Sequence, residues 1–219
     1  VTAYLRRAAA AAARGARVNL DPDIPLARGS AGAMAAAFDR ALSDAPGDPA
    51  PMNAFLLDAA ATAAAEAGMT LQVFIGGRTW AGVHLPHAPA ELAGRLLEYV
   101  AAHPAVNFEV YCHAAGLTQE LCVAAKYQAN LHLGGAWWFA QFPELMRTML
   151  ALRLEMLSPL KWTGFFSDAY VAEWIIGKSA LVRRELARAL AAKVLEGYLS
   201  EEEALPLARA ALHDNACRL

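Results

Sequence analysis

Apolar positions recur along the chain in two rhythms. Five short, dense apolar runs stand out: "ARVNL" (16–20), "LQVFIG" (71–76), "FEVYC" (108–112), "ANLHLG" (129–134) and "TGFFS" (163–167). None alternates cleanly between apolar and polar, so each reads as a strand of a parallel sheet covered on both faces. Between them apolar residues return every three to four positions, the helical period, over 52–68, 89–104, 118–128, 142–157, 178–198 and 199–216. Gly68 closes the first of these, a proline in the first turn and Pro104 bound the second, and Ser200 with Glu203 forms a capping-box start for the last.

The resulting order, β-α-β-α-β-α-β-α-β-α, implies right-handed crossovers and a parallel sheet, and no linker divides residues 1–219 into more than one α/β domain. Residues 21–51 form the longest loop-like stretch; following a strand end, they are placed where a barrel enzyme carries a mobile active-site loop.

Composition narrows the classes. Hydrophobic residues make up 57% of the 219, enough to drive a sizeable core. Lys+Arg of 19 against Asp+Glu of 21 leaves no electrostatic footprint for nucleic acid or anionic lipid. The alanine-rich "RRAAAAAARGAR" (6–17) is too short and too weakly hydrophobic to span a membrane. Three cysteines, Cys112, Cys122 and Cys217, show no CxxC spacing and read as buried reduced thiols of a cytoplasmic protein.

In an α/β barrel the reactive groups lie just past the strands' C-terminal ends. Those positions hold Asn19 and Asp21, then Arg78, Thr79 and Trp80, then His113, then Trp137 and Trp138, and finally Asp168 and Tyr170. Arginine grips a carboxylate with two prongs and tryptophan covers sugar C–H surfaces, so this rim suits a polar, sugar-sized or carboxylate ligand. Plainer roles are available: His113 as a core histidine, Asp168 as the cap of the following helix, and the Trp pair as packing. His84 and His87 of "VHLPHAP" fall in a proline-containing stretch and read as solvent-exposed, while His132 and His213 have no partner in the sequence.

The segment "NLHLGGAWWFAQFPELMRTMLALRLEMLSPLKWTGFFSDAYVAEW" resembles the last third of the uronate isomerases of the amidohydrolase superfamily, where a strand leads into a "G-x-WWF"-like turn and the last strand ends in a "(T/S)-D" pair. "MTLQVFIGGRTW" is similar to their "Q-x-H-I-G" strand with an Arg beyond it, and the ending through "HDNACRL" is similar to the superfamily's "N-A-x-x-x-Y". The resemblance, over about residues 60–219, implies a (β/α)8 TIM-type barrel of which these runs are strands four to eight. It implies a divalent metal, zinc, at the barrel mouth, with Asp168 and His113 as ligands and proton carriers and Arg78, Trp137, Trp138 and Tyr170 around a sugar acid. Phe74 stands in the place of the fifth-strand histidine, which limits the site to one metal. Ala169 and Tyr170 replace an "S-R"-like continuation, and the first-strand "His-x-His" pair is missing. Five strands do not close such a barrel, so a missing N-terminal segment or a homo-oligomeric partner is expected to complete it. The activity implied is aldose–ketose isomerisation of a sugar acid; a mononuclear metal-dependent hydrolase and a non-catalytic barrel are the alternatives.

Overall fold

Four of the five apolar runs pair side by side. The computed structural model describes residues 1–21, 24–43 and 47–219. Strands β1 (Gly15–Asn19), β2 (Thr70–Ile75), β5 (Phe108–Cys112) and β6 (Leu131–Leu133) form a parallel sheet in that spatial order. Helix α1 (Thr2–Ala10) precedes β1, and α2 (Ala31–Leu42) and α3 (Ala50–Glu66) lie between β1 and β2. Helix α4 (Leu92–Ala101) leads to β5, α5 (Thr118–Tyr127) to β6, and α6 (Pro143–Met156) to the fifth run. The long α7 (Ala172–Leu195), α8 (Glu201–Arg209), a π-turn over Ala210–Asp214 and α9 (Asn215–Arg218) complete the chain. Among the described residues no helix is long and apolar enough to cross a membrane.

The sheet is not apolar on both faces. Leu71, Val73, Ile75, Phe108, Val110, Leu131 and Leu133 enter one buried cluster with residues of α3, α4, α5 and α7. Their strand neighbours Gln72, Phe74, Glu109 and Tyr111 point the other way, with Arg17 and Asn19 of β1 beside them, as the period of two requires. The alternation was hidden because Phe74 and Tyr111 are themselves large and buried.

Three expectations are corrected. "TGFFS" forms no strand: Trp162 makes one parallel bridge to Leu133, and the Thr163 amide donates to the Leu133 carbonyl at 2.9 Å. The next amide, Gly164, is spent on the Ala211 carbonyl at 2.7 Å, which draws the chain off the ladder. Residues 21–51 are not one loop, because Ser30 caps α2 by accepting from the Ala33 amide; residues 22, 23 and 44–46 of that stretch lie outside the described residues. The stretch holding His84 is an antiparallel hairpin, β3 (Gly77–Trp80) and β4 (Val83–Pro86), turning through Ala81 at φ 47° and Gly82 at φ 79°. Positive φ at both central residues matches the twist of a two-residue hairpin.

The capping box at Ser200 forms as the sequence indicates. Beyond it, buried Asn215 donates to the Pro159 carbonyl at 2.6 Å and the Trp162 carbonyl at 2.8 Å, tying the last helix to the segment that bridges β6.

Candidate functional site

The sheet face turned away from the helix-covered cluster, its inner face, carries an aromatic stack with a cation on top. Phe74 lies flat on Tyr111, centroids 4.4 Å apart at 4°, and meets the Trp137 ring edge-on at 4.7 Å. Phe166 leans on both Phe74 and Tyr111. The Arg17 guanidinium sits 3.9 Å above Phe74, with Trp137 and Phe166 each within 6 Å. Its Nε donates to Asn19 Oδ1 at 3.0 Å, which fixes the plane of the guanidinium.

Toward the start of the strands, Glu109 is buried and satisfied on both oxygens. Gln72 Nε2 donates to one at 2.8 Å and Thr163 Oγ1 to the other at 2.7 Å. Burial, with the Glu109 charge second, holds the Tyr111 hydroxyl well above its ordinary range, so it stays protonated.

Arg17 opens onto a cavity of about 260 Å³ lined also by Phe166, Ser167, Asp168, Ala169 and Tyr170. Asp168 takes φ 42°, a conformation costly for a residue with a Cβ. Its carbonyl accepts from Lys178 Nζ at 2.8 Å. Asp168 does not cap the helix that follows: α7 begins at Ala172 with Val171 in the cap position. Tyr170, strongly exposed, meets Trp174 edge-on at the cavity's outer wall.

A second cluster forms around His113. Its imidazole stacks on Trp137 at 4.2 Å and 20°, with Trp138 at 4.7 Å and His84 at 4.8 Å. His84 lies parallel to Trp138 at 4.7 Å, and its Nδ1 is 3.0 Å from Thr79 Oγ1. Sequence reasoning missed His84, which it placed in solvent; both His84 and His87 are half-buried. The missed signal is the turn at Ala81–Gly82, which folds the hairpin back over the sheet. Gly77 makes this closure possible, since a Cβ there would lie 2.3 Å from His84 Nε2 and 2.5 Å from His113 Nδ1. Burial first, and His84 second, pull the His113 pKa down to about 4, so the imidazole is neutral at physiological pH.

The residues expected at the rim therefore divide. Asp168 and Tyr170 share the cavity with Arg17; Trp137 backs both groups; His113 and Trp138 belong to the histidine cluster. Arg78 stands on the hairpin with its guanidinium 5.3 Å from the Trp80 ring. Arg17 escaped notice because it lies mid-strand and not past the strand's end. Among the described residues no three His, Cys, Asp or Glu side chains gather closely enough to hold a metal ion.

No family model matches the chain. A uronate isomerase of Mesorhizobium japonicum is 35% identical over 95 residues, 43% of this chain and 20% of that protein. The glucuronate isomerase structure of Caulobacter crescentus superposes with a TM-score of 0.82 at 19% identity, over 98% of this chain and 50% of its own. A structure from Lactobacillus casei, named as a metal-dependent hydrolase, superposes with a TM-score of 0.76 at 15% identity, over 100% of this chain and 57% of its own. The chain spans about half the length of these solved structures. The resemblance to uronate isomerases thus holds in sequence over one segment and in fold over nearly the whole chain.

Proposed function

We propose that this chain forms part of an isomerase that interconverts aldose and ketose sugar acids, with the inner face of the sheet as the substrate floor. The carrying observation is that one cavity is lined by both Arg17, whose guanidinium is fixed in place, and Asp168. Arg17, held flat on Phe74 and braced by Asn19, presents its outer nitrogens for a two-pronged grip on the sugar-acid carboxylate. Phe166 offers its ring to the sugar's C–H surface, with Trp137 buried behind Phe74, and Tyr170 covers the open side. Asp168 moves the proton between the two carbons that exchange carbonyl and hydroxyl, and Ser167 holds a sugar hydroxyl. Arg78, Trp138 and His113 shape the hairpin side of the same mouth.

The sheet is read as strands of an eight-stranded barrel, its fifth element reduced to the Trp162 bridge, in a cytoplasmic enzyme of carbohydrate metabolism. β1 is an open edge of the sheet, and other strands, from the same polypeptide or another, complete the barrel. The described residues do not by themselves fit a divalent metal: no three ligands converge, and His113 is packed between Trp137, Trp138 and His84. A zinc ion at this mouth requires ligands from beyond these residues.

Calorimetric titration with D-glucuronate and D-glucose tests the reading. The protein binds glucuronate and prefers it to glucose, and Arg17→Met weakens glucuronate about tenfold or more, as loss of a charged hydrogen-bond pair of about 1.5–3 kcal/mol requires. Equal affinity for both sugars, or an unchanged Arg17→Met variant, contradicts it.

A further inference from the structure

The sequence leaves the three cysteines as equivalent buried thiols, and the structure separates them. Cys122 is buried, and Cys112 donates to the Ala114 carbonyl at 3.3 Å, its thiol pushed up to about 12 by burial. Cys217 is exposed, on the short α9.

Cys217 has a base beside it and an orienting carboxylate behind the base. His213 Nε2 lies 3.8 Å from Cys217 Sγ, and His213 Nδ1 lies 2.9 Å from Asp214 Oδ1. The π-turn over Ala210–Asp214 and the α9 turn after it bring these three side chains together. Arg209 Nε also donates to Asp214, at 3.3 Å. The His213 hydrogen bond first, with Arg209 assisting against desolvation, holds the Asp214 carboxyl below the usual carboxylate range. An ionised Asp214 accepts the proton on Nδ1 and so selects the tautomer whose Nε2 lone pair faces the thiol. Nucleophile, base and orienter in hydrogen-bond sequence are the arrangement that activates a thiol. Arg209, bonded to Asp214, is the cation beside it, and Arg218 follows Cys217 in the chain.

We infer that Cys217, with His213 and Asp214, is a thiol–disulfide exchange site that takes a low-molecular-weight disulfide and carries a reversible mixed disulfide on the last helix. The Cys217 proton passes to His213 Nε2, and the thiolate attacks one sulfur of R–S–S–R. A Cys217–S–S–R bond forms and the R–S–S–R bond breaks. The departing RS⁻ takes the proton from His213, so Cys217 is oxidised as one half of the disulfide is reduced. The inference is independent of the sugar-acid reading, since it uses none of the residues of the inner face.

The test follows release of thiopyridone from 4,4′-dithiodipyridine, a neutral disulfide, by stopped flow from pH 6 to pH 10. The proteins compared are wild type, Cys217→Ser, His213→Gln and Asp214→Asn. Peptide mapping after exposure to oxidised glutathione locates the adduct. His213 assists only while the thiol still carries its proton, so its contribution fades as hydroxide removes that proton without help. Wild type is therefore expected to react severalfold faster than His213→Gln at pH 7 and at the same rate near pH 10. The gap closes with rising pH, which a merely structural change does not produce. Asp214→Asn falls between them, Cys217→Ser loses the fast thiol, and glutathione maps to Cys217. Profiles of wild type and His213→Gln that coincide at pH 7, or that stay apart by the same factor up to pH 10, overturn the inference. So does a fast thiol that survives in Cys217→Ser, or an adduct that forms first on Cys112 or Cys122.

Discussion

Replacing Phe74 by alanine removes the keystone of the inner face. The ring is 1% exposed and contacts Tyr111 face to face, Trp137 edge to face and Arg17 from above. Truncating a buried phenylalanine costs about 3–5 kcal/mol when the surroundings cannot collapse into the space. Collapse is restricted here, because Tyr111 and Trp137 are anchored on β5 and on the segment after β6. The stacked ring pair adds about 0.5–1.5 kcal/mol beyond area burial, so the upper half of that range is expected. For a chain of 219 residues, each kcal/mol corresponds to about 2–4 °C in melting temperature. The variant should melt about 8–20 °C below wild type by differential scanning calorimetry. Phe74→Leu, which keeps apolar volume and loses the ring faces, should recover most of the loss. Near-ultraviolet circular dichroism should lose signal with Phe74→Ala, since Trp137 loses a fixed neighbour. A melting temperature within about 2 °C of wild type would refute the view that these rings form one packed unit under Arg17.

Other perturbations have equally definite outcomes. Gly77→Ala places a methyl against His84 Nε2 and His113 Nδ1, so overpacking of about 1–3 kcal/mol and a changed tryptophan emission from Trp138 are expected by thermal melt and fluorescence. Asn215→Ala strips the hydrogen bonds from the Pro159 and Trp162 carbonyls and should lower stability by about 2–4 kcal/mol in urea titration. His132 has its pKa lowered to about 4, by burial first and the Lys161 cation second. The unfolded chain thus binds a proton that the folded chain refuses between about pH 6.5 and pH 4. Its contribution is whole above pH 6.5 and falls by about 1–2 kcal/mol as pH drops through that window, the full shift being discounted for solvent screening of the part-exposed ring. The urea midpoint of His132→Gln should be correspondingly flatter across those pH values.

Much of the fold was legible because strands and helices differ in period, and Gly68, Pro104 and Ser200 mark element ends that local chemistry dictates. What escaped depended on contacts distant in sequence. "TGFFS" has strand composition, yet Gly164 bonds to Ala211, some 47 positions on, and leaves the ladder. The hairpin turns through Ala81, a residue with no preference for positive φ, so Gly82 is its one local mark and the fit around Gly77 shows only in the fold. Of the residues named at the rim, the structure sets Asp168 and Tyr170 on one cavity with Arg17 and buries Trp137 against Phe74. The rim logic overlooked Arg17, whose inward orientation follows from the register of β1 on β2 and not from its position past a strand end. Reading "VHLPHAP" as exposed failed for the same reason, since His84 is covered by Trp138 from far along the chain.

The most direct test follows D-glucuronate by proton NMR in deuterated water with the polypeptide that carries this chain, wild type beside Asp168→Asn. Formation of the ketose, with solvent deuterium entering at the carbon next to the carbonyl, and a loss of at least a hundredfold in Asp168→Asn, is the predicted result. No conversion by the wild type, or conversion at the same rate by Asp168→Asn, would contradict the account.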